Sequence, residues 1–179
     1  MMRDHQVVFC AVASAFAAVA ALWDIRTRRI PNLLCATAFA AGLLLHFGLD
    51  GWQGMLTALA AGMLAGGVFL LFFIAGGMGG GDVKIVAGIA ALAGFSQLPY
   101  FLIFTGIAGG VMAVMLIVRH GVFRSTFKNL TVLMGHHARR GLTPHKELNV
   151  ENKSTLRLPY GVAIAAGALF TLYLNGSRS

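Results

Sequence analysis

Only six carboxylates occur in the chain: Asp4, Asp24, Asp50, Asp82, Glu147 and Glu151. Four of them fall in the amino-terminal stretch or in loops between apolar runs. Asp24 and Asp82 instead sit at the ends of two apolar runs, where an ionisable group is costly enough to be a functional candidate by default. Two carboxylates sharing a low-dielectric site do not both ionise readily, so such a pair holds a single proton near neutral pH. Peptide hydrolysis needs that state. The ionised partner takes a proton from water as it attacks the scissile carbonyl, while the protonated partner hydrogen-bonds the carbonyl oxygen. The pair titrates as a unit, so either Asp can start as the proton carrier. Each residue alone also fits a structural part: Asp82 as the cap of the helix that follows it, Asp24 as the i, i+4 partner of Arg28.

The stretch leading to Asp82, Gly76-Gly77-Met78-Gly79-Gly80-Gly81, reads as a loop, because each glycine inside a helix costs roughly 1 kcal/mol relative to Ala. Such a loop admits close backbone approach, whether by an extended substrate or by tight packing of Asp24 against Asp82.

The elements that must position these groups are membrane helices. The 179 residues are 58% hydrophobic and 11% charged, against roughly 25% charged in soluble domains. Six segments approach the length that spans hydrocarbon: Gln6–Trp23, Leu33–Leu49, Gly54–Ala75, Val83–Phe95, Tyr100–Val118 and Pro159–Leu174. The sequence therefore predicts an all-α polytopic integral membrane protein, one domain over 1–179, with six transmembrane helices and one long basic cytoplasmic loop at about 119–158.

Orientation follows from Lys and Arg. With both termini outside, twelve of the fourteen basic residues fall inside and only Arg3 and Arg178 outside, as the positive-inside rule requires. Asp24 and Asp82 then face the cytoplasm. The flanking charges of the first run oppose a signal peptide, since Arg26, Arg28 and Arg29 follow it. From Asp82 to Phe95 a helix covers only about 21 Å, which sinks Asp82 below the inner surface into a protein-lined or watered cavity.

The net charge of +8 comes without zinc-finger spacing or an aromatic-plus-basic surface, so no nucleic-acid partner is expected. It fits anionic lipid at the cytoplasmic face instead. Phe123, Phe127, Leu130 and Leu133 recur at helical spacing opposite Arg124 and Lys128, the pattern of an amphipathic helix lying on a membrane. Gly62 with Gly66, and Gly106 with Gly110, are spaced to mark helix contacts. Cys10 and Cys35 read as small core residues. His136, His137 and His145 lack ligand spacing, and neither metal nor organic cofactor is expected.

Trp23-Asp24-Ile25-Arg26-Thr27-Arg28-Arg29-Ile30-Pro31-Asn32, followed by Gly79-Gly80-Gly81-Asp82-Val83-Lys84, resembles the type IV prepilin peptidases, GxGD-type aspartyl proteases. Leu158-Pro159-Tyr160-Gly161, opening the last segment, is also similar to that family, although a proline in the first turn of a helix is ordinary in itself. The resemblance implies that Asp24 and Asp82 are catalytic. It also implies that Gly79, Gly80, Gly81, Pro31, Asn32, Pro159, Tyr160 and Gly161 bind substrate or shape the approach to it. The implied substrates are prepilin-like proteins with a basic leader before an apolar helix, cut at the inner face of a bacterial inner membrane. Lys84, about 200° around the helix from Asp82, reads as an interface anchor. Larger family members carry a cytosolic domain with cysteine pairs and an N-methyltransferase activity. Nothing in this sequence corresponds to that domain, so methylation is not expected, and the chain resembles the small forms associated with Flp or tight-adherence pili. Two rivals use the same residues: a small transporter or channel subunit with the acids as a proton or cation site, and an inert assembly factor that only binds pilin-like helices.

Overall fold

The computed structural model describes residues 2–75, 77–121 and 158–177. Every element within them is a helix: α1 (Met2–Thr27), α2 (Asn32–Ile74), α3 (Gly80–Ala93), α4 (Leu98–His120) and α5 (Tyr160–Ser177). Three helices are long and apolar enough to cross a membrane, over His5–Thr27, Asn32–Ile74 and Leu98–Arg119. The amphipathic pattern from Phe123 to Leu133 and the histidines at 136, 137 and 145 lie outside the described residues, as does most of the basic stretch.

The expected segments Leu33–Leu49 and Gly54–Ala75 are the two limbs of α2. The chain leaves helical geometry at Gly51, with φ 69° and ψ −161°, a left-handed φ that suits glycine. The limbs then run side by side, since a Cβ on Gly62 would lie 2.7 Å from the Phe39 ring.

At the centre lies α3, where Ile85, Val86, Ile89, Ala90, Ala91 and Leu92 are fully buried. It packs most extensively against α2 and next against α1, while α5 bridges α1 and α4. The core is largely alanine: Ala17, Ala20, Ala38, Ala61, Ala65 and Ala90 have no exposed surface. Large apolar side chains such as Leu33, Leu44, Met63 and Val118 point outward instead. In lipid, where Leu gains nothing from leaving the surroundings, helices associate through small residues that let backbones approach. A Cβ on Gly42 would fall 2.8 Å from the Ala91 backbone, and one on Gly88 would fall 3.0 Å from Ala38.

The two glycine pairs differ. Gly66 and Gly62 face α3, where added Cβ atoms would meet Ala87 at 3.2 Å and 2.9 Å. Gly106 and Gly110 are exposed, with nothing among the described residues within 4 Å of an added Cβ, so the expected contact is not formed there. The inward stripe of α4 is Phe101, Thr105 and Gly109: Phe101 and Thr105 are buried, and Gly109 faces Ala163 of α5. One residue of offset is about 100° on a helix, enough to turn Gly106 and Gly110 away.

The end of the bundle that holds the start of α1 is tied by polar side chains. Gln6 donates to Ser96 at 2.9 Å, Gln97 to Gln6 at 2.6 Å and Asn175 to Gln97 at 2.8 Å. Asp50 is not a plain loop acid. It lies in α2, 3.0 Å from His5 and 3.5 Å from His46, and His46 stacks on Phe9 while Nε2 sits 3.2 Å from the Leu92 carbonyl. Gly94, with φ 83°, accommodates the His46 ring, which would lie 2.9 Å from a Cβ there.

Candidate active site

At the opposite end, α1 stops at Thr27, whose hydroxyl bridges the carbonyls of Trp23 and Arg29, each at 2.9 Å. Arg28 takes a left-handed φ of 54°, and the chain turns into Ile30 and Pro31. Pro31 is extended (φ −62°, ψ 135°) and serves as the N-cap of α2, a position where its missing N–H costs nothing. Its carbonyl accepts the Cys35 N–H at 3.3 Å.

This turn docks on the start of α3. Ile30 is buried, and its Cβ and carbonyl oxygen would each lie 3.5 Å from a Cβ on Gly81. Lys84 Nζ donates to Asn32 Oδ1 at 2.9 Å, and Cys35 Sγ lies 3.8 Å from the Gly81 carbonyl oxygen. Lys84 thus ties α3 to the start of α2. The two stretches that hold Asp24 and Asp82 are thereby packed together, and the two carboxyl groups stand close enough for the charge of one to be felt at the other.

The glycine stretch is not a loop up to Asp82. Gly77 donates to the Phe72 carbonyl at 2.9 Å as α2 ends, Gly79 is the N-cap of α3, and Gly80 and Gly81 are already helical. The expectation gave weight to helix propensity, but close packing decides here: Gly81 lies against Ile30, and an added Cβ on Gly80 would meet the Phe73 ring at 3.5 Å. Asp82 is half-buried. Its Oδ2 accepts the Gly79 N–H at 3.1 Å, so it does cap its own helix, with an acidic group favourably placed in the first turn.

Asp24, in the last turn of α1, is buried at 6% exposure. Its Oδ2 accepts the backbone N–H of Gly161 at 2.9 Å, a contact between the end of α1 and the start of α5. Pro159 precedes α5, and its carbonyl accepts the Val162 N–H at 3.0 Å. Tyr160 lies within electrostatic reach of Asp82. All ten sequence-selected positions therefore lie at one end of the bundle, on or beside the starts of α2, α3 and α5 and the end of α1. Cys35, outside both motifs, joins this group, as does Ile30. Both look like ordinary apolar residues in sequence, and only their packing on Gly81 distinguishes them.

Described residues that are all helical or in short turns, with long apolar spans among the helices, define a membrane-embedded protein. The model of the type IV leader peptidase family matches residues 11–114, and the chain belongs to that family. Its members are proteases of the aspartyl type. No curated protein matches the chain, and no solved structure does. The matched residues include Asp24 and Asp82 and end before α5.

Proposed function

We propose that the chain is a prepilin leader peptidase that removes the basic leader from prepilin-like proteins at the cytoplasmic face of a bacterial inner membrane, with Asp24 and Asp82 as its catalytic pair. The observation that carries this reading is the packing of Ile30-Pro31-Asn32 onto Gly81 and Lys84, which puts both aspartates at one end of a leader-peptidase-family chain. The ionised carboxylate takes a proton from water, and the water oxygen adds to the scissile carbonyl carbon. The protonated carboxyl donates to the carbonyl oxygen, giving a gem-diol. The carboxyl that took the water proton passes it to the amide nitrogen, a diol hydroxyl returns its proton to the other carboxylate, and the C–N bond breaks to release the amine and the new carboxyl terminus. Gly79, Gly80, Gly81, Pro31, Asn32, Pro159 and Tyr160 shape the approach to the pair. The chemistry uses neither metal nor organic cofactor.

The same reading has six membrane crossings: α1, the two limbs of α2, α3, α4 and α5. The 43 residues of α2 extend about 65 Å as helix, roughly twice the hydrocarbon thickness, which suits an element that doubles back at Gly51. Trp23 is exposed near the aspartates, and Trp52 and Tyr173 are exposed towards the other end, in keeping with aromatic belts at two interfaces. Both termini lie outside, and the basic stretch 119–158 meets anionic lipid on the inside.

The test is to co-express wild type, Asp24→Asn and Asp82→Asn with a tagged prepilin and to determine the product N-terminus by mass spectrometry. Leader removal by wild type and by neither variant supports the proposal. Equal processing by all three returns the aspartates to a structural part.

A further inference from the structure

We infer that Gly161 is a positioning residue for Asp24: its amide and its missing side chain together fix where that carboxyl stands. The inference rests on the peptidase reading above, but its observations lie outside the matched residues 11–114.

The amides at a helix start lack partners within the helix, so each must find one elsewhere. At the start of α5, Pro159 has no N–H, Tyr160 donates to the Leu158 carbonyl and Val162 donates to the Pro159 carbonyl, both at 3.0 Å. The Gly161 amide alone of these leaves its own segment, reaching Asp24 Oδ2 at 2.9 Å. The acceptor oxygen belongs to a buried side chain, so little water competes for this hydrogen bond.

Shape adds a second constraint. A Cβ on Gly161 would stand 2.9 Å from Asp24 Cβ, 3.1 Å from Asp24 Oδ2 and 3.1 Å from Ala21 Cα. The Cα and Cβ atoms cannot swing aside as a flexible side-chain tip would, so any larger residue must push the end of α1 away from α5. The displaced group is the carboxyl itself. A reacting group misplaced by about 1 Å can lose on the order of 100-fold in rate. Gly161 therefore acts on turnover through Asp24 rather than by holding substrate.

Two measurements test this on purified full-length protein. The first is kcat and KM for wild type and Gly161→Ala on a prepilin with a basic leader. The expected result is a kcat lower by about 10- to 100-fold with KM within about two-fold of wild type. Unchanged kcat, or a loss carried by KM, overturns the inference. The second is a thermal-stability cycle of wild type, Gly161→Ala, Asp24→Gly and the double variant in detergent. Gly161→Ala is expected to cost less stability when Asp24 has lost its side chain, because contacting residues are non-additive; strict additivity overturns the contact. If wild type leaves every prepilin whole, the peptidase reading fails. The stability cycle then decides by itself whether Gly161 fixes Asp24.

Discussion

Lys84 reaches from the first turns of α3 to Asn32 at the start of α2, Nζ to Oδ1 at 2.9 Å, so two stretches 52 residues apart are joined by side chains as well as by packing. The bond is exposed, and an exposed hydrogen bond of this kind contributes about 1 kcal/mol. Lys84→Met is expected to lower the unfolding midpoint in detergent by a few degrees while cleavage stays within a few-fold of wild type. A loss of cleavage as deep as that of an aspartate variant would move Lys84 into the chemistry.

Asp82 has two tasks that a single substitution separates. In Asp82→Asn the amide oxygen can still accept the Gly79 N–H, so the start of α3 keeps its cap. The charge and the acid–base function are gone. The expectation is near-wild-type thermal stability with cleavage reduced on the order of 10³-fold or more. A parallel fall in stability and activity would trace the loss to the cap.

Overfilling the α2–α3 interface has a predictable sign. Gly88→Val places a branched side chain where Ala38 and the Cys35 carbonyl already stand within 3.2 Å of the first added carbon, and overpacking of this kind costs about 1–3 kcal/mol. Gly106→Ala adds a methyl to open space and removes a glycine from a helix interior, so it should raise stability by up to about 1 kcal/mol. Denaturation midpoints in one detergent compare the two directly. Equal effects would mean that Gly106 is covered in the folded protein.

Topology is testable with single thiols, since Cys10 and Cys35 are both buried. A membrane-impermeant maleimide added to intact cells is expected to label Gln53→Cys, beside the Gly51 reversal, and to label Gly77→Cys only after the inner face is opened. The reverse pattern would place the aspartate pair on the outer side.

Much of the architecture was legible because its signals are local. Apolar run lengths gave the helices, with ends shifted by a few residues, and the turn at Gly51 falls between the two expected segments. Motif spacing singled out Asp24 and Asp82, and the packing of Ile30 on Gly81 brings the two stretches together. What escaped was non-local or rotational. The bond from Gly161 to Asp24 spans 137 residues and uses a backbone amide, which leaves no mark in side-chain type. Asp50 looked unremarkable until His5 and His46 were brought to it from α1 and from lower in α2. The Gly106–Gly110 spacing was correct for a contact, but spacing does not fix which side of α4 faces inward.

The alanine core also decides which inherited changes the protein can absorb. Trimming a side chain is the commonest injury to a leucine-filled interior, because it leaves a void; at the core alanines there is almost nothing to trim, and that injury is confined to the large buried side chains such as Phe9, Ile85, Leu92, Phe101 and Ile164. At the alanines harm comes from growth instead, as each added methylene must wedge apart two helix backbones. Drift should therefore run freely on the lipid-facing leucines and phenylalanines, which can shrink or swap. At Ala38, Gly42, Ala61, Gly88 and Ala91 it should be confined to residues no larger than serine, so the tolerance map is inverted relative to a water-soluble protein of the same length.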